Sequence, residues 1–173
     1  MKKTLLIIIL SLTITIGIFA DYPDGLGIGV KDSWGSTWVY GGGNGRGLGL
    51  SLKTPDLPFF CSIRLVIQKS YFSLAVSGDY YLYHNPLVPD INLHWYLGFG
   101  AEVGIGTEEN KFSFGTGIRF IVGLSWQVEF TSFPKLELFL HLIPRLGVQF
   151  SPSFLFPYGG YGFDLGVRIW LDV

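Results

Sequence analysis

Three histidines, thirteen carboxylates and twelve basic side chains are the groups with chemistry to offer in this 173-residue chain. Nucleophilic catalysis needs a base within hydrogen-bond reach of a hydroxyl or thiol. No Gly-x-Ser-x-Gly turn and no His-Glu-x-x-His pair occurs. A His-x-Ser pair, which serves lipid deacylation in some membrane enzymes, is also missing. His84 is followed by Asn85-Pro86, His94 by Trp95-Tyr96 and His141 by Leu142-Ile143. Glu137 and His141 share a segment, but four residues of extended chain separate groups by roughly 13 Å. The run Gly41 to Gly47 lacks the Gly-Lys-Ser/Thr of a phosphate loop. Cys61 stands alone, which rules out an internal disulfide and a four-thiol metal site. The expectation is no catalytic, cofactor or metal site.

The charges instead follow a period of two. Leu136, Leu138, Leu140 and Leu142 alternate with Glu137, Phe139 and His141, and Phe163 to Val173 alternates in the same way with Asp164, Arg168 and Asp172. One face is apolar and the other carries most of the charge, the pattern of a β-barrel in lipid. Alternation assigns Lys53, Arg64, Asp79, His94, Glu102, Arg119, Glu137, His141, Arg145, Asp164, Arg168 and Asp172 to the inside. The signs nearly balance, and unpaired buried charge costs several kcal/mol, on the order of 3–5 when a partner is removed. Inward glycines such as Gly49, Gly100, Gly117 and Gly166 make room for the long side chains. A lumen plugged by salt bridges is therefore expected, with a narrow charged pore as the alternative.

These residues require strands to position them. Turn chemistry cuts the chain into eight segments: 24–30, 46–53, 59–68, 71–83, 91–106, 112–128, 136–150 and 161–173. Prolines at 55, 58, 86, 89, 134 and 152 fall between them. Crossing a bilayer on tilted strands takes about 9–11 residues each. The expected fold is all-β: an eight-stranded antiparallel up-and-down transmembrane β-barrel. Closure satisfies every backbone group where no water can. An even strand count puts both termini on one side, so the connections after strands one, three, five and seven face outward. A soluble eight-stranded barrel would turn its apolar face inward, leaving the charged face in water.

Residues 1–20 read as a cleaved signal peptide: Lys2 and Lys3, an apolar stretch from Leu5 to Ile16, then Gly17 to Ala20 as the cleavage region. As a helix, Leu5 to Phe19 would span only about 22 Å, short of a bilayer core. Residues 21–173 form the barrel domain, mildly acidic once Lys2 and Lys3 are gone, which argues against nucleic acid. Mean hydropathy is +0.41, yet no later stretch reaches the length of a membrane helix.

Aromatic residues near segment ends are assigned to interfacial girdles: Trp34, Trp38, Tyr71, Tyr81, Tyr83, Trp95, Trp126, Tyr158, Tyr161 and Trp170. The longest outward connection, Lys31 to Gly45, carries Trp34, Trp38 and Tyr40, which are the candidate contacts for a surface ligand.

The runs Gly47-Leu48-Gly49-Leu50-Ser51-Leu52, Asp79-Tyr80-Tyr81-Leu82 and Trp95 to Gly100 resemble a family of uncharacterised small bacterial outer-membrane β-barrel proteins common in spirochaetes. Gly117-Ile118-Arg119, Gly123 to Trp126, Leu136 to Leu140 and Gly166 to Trp170 carry the resemblance through the second half. It implies a barrel akin to the membrane domain of OmpA-type porins, with no agreed activity. Members usually end on an aromatic residue that the assembly machinery reads, whereas this chain runs past Trp170 to Val173. The combined expectation is an exported outer-membrane monomer, assembled by the barrel-assembly machinery and surrounded by outer-membrane lipid. Its expected role is structural or surface-interacting (adhesin-like). A small-solute pore is the alternative and a lipid-modifying enzyme the third reading.

Overall fold

The computed structural model describes residues 25–37, 44–69, 71–130 and 133–172. Eight antiparallel strands close on themselves in sequence order. They are β1 (Leu26–Ser36), β2 (Asn44–Lys53), β3 (Phe60–Ile67), β4 (Tyr71–Val88), β5 (Leu93–Glu108), β6 (Lys111–Phe130), β7 (Phe133–Ser151) and β8 (Leu155–Leu171). Closure is made by β1 against β8, from Leu26↔Leu171 to Gly35↔Gly162. The proposed signal segment, Trp38, Tyr40 and Val173 lie outside the described residues.

The period of two sets the faces. On β2, Leu48, Leu50 and Leu52 point outward and are exposed; on β6, Ile118, Phe120, Val122 and Leu124 do the same. Their neighbours Ser51, Arg119 and Ile121 are buried inside. A strand pairing shifted by one residue would exchange these faces, so the pattern fixes the register.

Several strands outrun the segments that turn residues delimit. β1 continues through Asp32-Ser33, because β2 and β8 pair with it on either side as far as Ser36 and Gly35. Trp34 is therefore a strand residue opposite Arg46 and Phe163, not a residue of a Lys31–Gly45 loop. β4 passes through Pro86 to Val88 by register shifts at Tyr81/Tyr83 and Pro86/Val88. Such bulges absorb an extra residue and a missing donor without ending the ladder. The link to β5 shrinks to a single turn of 3-10 helix at Pro89–Ile91. β8 begins at Leu155 rather than Tyr161, and β7 at Phe133 rather than Leu136.

Glycine matters most where a ring is seated. A Cβ on Gly123 would collide with the ring of Tyr96 from the neighbouring strand. Gly123→Val should destabilise the barrel by about 1–3 kcal/mol, the range for overpacking a filled core. Val122→Ala, on the outward face, should leave the urea midpoint nearly unchanged. Equal midpoints for both variants would contradict the assigned faces.

Candidate functional site

The lumen holds the chain's densest chemistry, arranged in three levels between the chain-terminus end and the loop end. Arg168 of β8 lies nearest the termini. It donates from Nη1 to Glu137 Oε2 at 2.5 Å and from Nη2 to Ser51 Oγ at 2.9 Å. Trp170 donates its indole N–H to the same Glu137 oxygen at 2.8 Å. The guanidinium is sandwiched between Phe60, at 4.5 Å, and Phe139, at 4.6 Å. Planar Arg suits such double use, stacking through its face and bonding through its edge. Phe60, Tyr81, Tyr96, Ile121 and Trp170 pack as one buried cluster around this level.

At the middle level Lys31 of β1 donates to Asp164 Oδ2 at 2.7 Å and to Ser62 Oγ at 3.1 Å. Ser62 bonds Ser77 at 2.8 Å. His141 faces the same carboxylate at 3.9 Å and stacks on Phe139. Its ring also meets Tyr96 edge-on at 5.4 Å.

At the loop-end level Arg119 bridges two strands. Its Nε lies 2.9 Å from Asp79 of β4, and its Nη1 donates to Glu102 of β5 at 2.7 Å. Arg145 and Arg64 approach the other Glu102 oxygen at 3.3 and 3.8 Å. Both also donate to the carbonyl of Ser36, at 2.8 and 2.9 Å, where β1 ends. Tyr158 donates to the Thr37 carbonyl at 2.6 Å, and Tyr71 to that of Asn44 at 2.8 Å. A cavity of about 10 Å³ beside Ser36, Arg145 and Tyr158 has room for about one water.

The structure thus brings together Arg64, Asp79, Glu102, Arg119 and Arg145 in one group, and Glu137 with Arg168 in another. Asp164 pairs separately with Lys31, which stands on β1 and not in the Lys31–Gly45 connection that turn residues delimit. The alternation Lys31, Ser33, Gly35 was the signal for its inward face. Lys53 sits on the inner face at the rim, where its ammonium donates to the Thr54 and Leu57 carbonyls of the turn. Asp172 corrects the inward assignment: it follows the end of β8 and is exposed. His94 stands at the chain-terminus mouth, half-buried and stacked on His84 at 4.6 Å.

The aromatic girdle also needs correction. Tyr71, Tyr81, Tyr158 and Trp170 are buried inward, because their parity along the strand, not their nearness to its end, decides their face. Trp126 and Tyr161 are exposed as expected. Trp34 is half-buried on the outer wall against Phe163, with ring centroids 5.4 Å apart. Among the described residues no group of three or more metal-ligating side chains could hold an ion.

A closed eight-stranded barrel with a filled, ion-paired interior is the class of structure these observations define. Solved structures of similar shape include Neisserial surface protein A, at 13% identity over 84% of this chain and 96% of that one, with a TM-score of 0.46. The N-terminal β-barrel domain of Pseudomonas aeruginosa OprF matches at 14% identity over 83% of this chain and 96% of that one, with a TM-score of 0.43. No protein-family model and no curated protein matches the chain.

Removing one partner of a buried pair leaves an uncompensated charge. Arg119→Leu should therefore cost about 3–5 kcal/mol of unfolding free energy. Adding Asp79→Asn, which removes the carboxylate that Arg119→Leu leaves without its partner, should recover part of that loss. Additive losses in a urea-unfolding cycle would show that the two groups are not coupled.

Proposed function

We propose that this chain is an outer-membrane β-barrel with a closed lumen, acting in a structural or surface-interaction role rather than in transport or catalysis. One observation carries the reading: a closed barrel that is apolar outside and filled inside. Exposed outward residues such as Leu48 at 73% and Ile67 at 70% are untenable in water over so much of the wall, and natural in hydrocarbon. Inside, Arg119, Arg168, Tyr96, Phe139, Ile121 and Ile143 are each less than 2% accessible, which supports a lumen filled by side chains at their levels.

Eight strands enclose an interior just wide enough for side chains. Here those side chains bond each other across the lumen, so a pore would require several ion pairs to open together. The outward connections then remain as the surface for partners. Trp34, on the wall below the 38–43 connection, fits anchoring at the lipid boundary, and Trp38 and Tyr40 are the remaining candidates for contacting a surface ligand. Export by the residue 1–20 signal, insertion by the barrel-assembly machinery and a monomeric state complete the proposal.

Two measurements test it. Planar-bilayer recording of the refolded protein should give no conductance steps above background; reproducible steps would favour the narrow-pore reading. An epitope inserted after Gly42 should be detected on intact cells, and one inserted after Asp56 only after permeabilisation. The reverse pattern would invert the orientation and remove the surface role.

A further inference from the structure

Outside the lumen, the wall formed by β8, β1, β2 and β3 carries a trough of about 840 Å³. Val30, Leu48, Leu50, Ile63 and Val167 line it, and Asp32 is the outward charged residue among its lining. That volume falls in the range of small-molecule sites, roughly 300–1,000 Å³. Its origin is legible inside the barrel. The inward positions of β1 and β2 include Gly27, Gly29, Gly45, Gly47 and Gly49. With no side chain beneath it, this part of the sheet lies directly on the lumen contents. A Cβ on Gly27 would come within 2.8 Å of the Arg168 side chain, and one on Gly49 within 2.8 Å of Lys31. A wall drawn inward leaves a hollow on its outer side.

The loop-side end of the trough is charged. Arg46 is the outward residue next before Leu48 on β2, and it pairs with Asp32 of β1. Nε donates at 2.9 Å and Nη2 at 2.5 Å, so Asp32 fixes the guanidinium plane and engages two of its three nitrogens. The cation also lies 5.4 Å from the centroid of the Trp34 ring. Its side chain is 68% accessible against 21% for Asp32, so the guanidinium, not the carboxylate, projects from the wall. On β6, by contrast, outward apolar residues extend from Phe112 to Phe130. A charged pair thus interrupts the apolar band at this end of the trough, while Trp34, Phe163 and Ile67 continue it on the flanking strands.

We propose that the trough binds one anionic, phosphate-bearing membrane lipid, its acyl chain along Leu48, Leu50 and Val30 and its phosphate at Arg46. This rests on the membrane reading above. The apolar lining takes hydrocarbon, and with Asp32 on the Nε–Nη2 edge the terminal edge of the Arg46 guanidinium, Nη1 and the second Nη2 proton, is what can donate to phosphate oxygens. Arg46 to Leu52 spans roughly 20 Å along the strand, about the length of an extended acyl chain beside its headgroup. A second barrel seated here would instead have to desolvate the Arg46–Asp32 pair, which is costly.

Native mass spectrometry of the refolded full chain in detergent tests the site. The probes are palmitoyl-oleoyl phosphatidylglycerol and the corresponding phosphatidylcholine, added in equal amounts. Wild type should retain one phosphatidylglycerol over phosphatidylcholine by roughly fivefold, close to 1 kcal/mol. Leu50→Trp, or Leu48→Trp as a second filling variant, should remove retention of both lipids. Arg46→Gln should abolish the preference while keeping some lipid bound. Equal retention of the two lipids by wild type, or retention indifferent to the filling variants, overturns the proposal. So does a lipid-free dimer that either filling variant dissociates. Heat-modifiable gel migration and membrane fractionation, run on each variant, separate the two claims. A folded, membrane-inserted barrel with indifferent retention sinks the lipid site alone, whereas a fully soluble product sinks the membrane reading and the site with it.

Discussion

The Arg119 side chain is the point on which the interior depends. It reaches from β6 to Asp79 on β4 and Glu102 on β5, and Glu102 in turn gathers Arg64 from β3 and Arg145 from β7. Five consecutive strands are thereby tied across the lumen, in addition to the ladders that join neighbours. Such buried charges cannot be left singly. Once one is present, its partners must be supplied from the facing strands at matching heights. That requirement fixes stagger as well as register, and stagger is what sets the width of a barrel.

Width then decides what the barrel can do. Glycines stand where long side chains need space, as at Gly166 under Phe139 and Gly123 under Tyr96. The room they free is taken up by rings and guanidinium groups, so side chains fill the interior at these levels. The outer surface carries no such constraint: Leu48, Ile118 and Val122 are apolar and exposed there without any partner to match. The two faces of each strand therefore answer to different physics, one to exact pairing and the other to hydropathy alone.

Much of this was legible in the sequence because a period of two is a strong signal. The closed eight-stranded topology and the inward faces of Arg64, Asp79, Glu102, Arg119, Glu137, Arg145, Asp164 and Arg168 follow from alternation. The failures have a common cause. Asp32-Ser33 and His84 to Val88 carry turn-forming residues, yet β8 and β5 supply ladder partners that keep the chain extended there, and only Pro89 to Ile91 turns. Local composition cannot report a partner more than a hundred residues away, so Lys31 was lost to a loop although it meets Asp164. Tyr71, Tyr158 and Trp170 were misplaced for another reason. An amphipathic aromatic suits a lipid headgroup or a wet lumen equally well, and only strand parity separates the two. The Arg46–Asp32 pair on the outer wall departs from the rule of charges inward.

The central claim is that one face of every strand meets lipid while the other is sealed from it. Methyl NMR of isoleucine-labelled protein in bilayer nanodiscs with spin-labelled acyl chains measures this directly. Ile28, Ile63, Ile67, Ile118 and Ile169 are outward and exposed, whereas Ile121 and Ile143 are buried in the lumen. The account predicts strong broadening of the first group and sharp signals from Ile121 and Ile143. Equal broadening of both groups, or protection of the outward five, would contradict it.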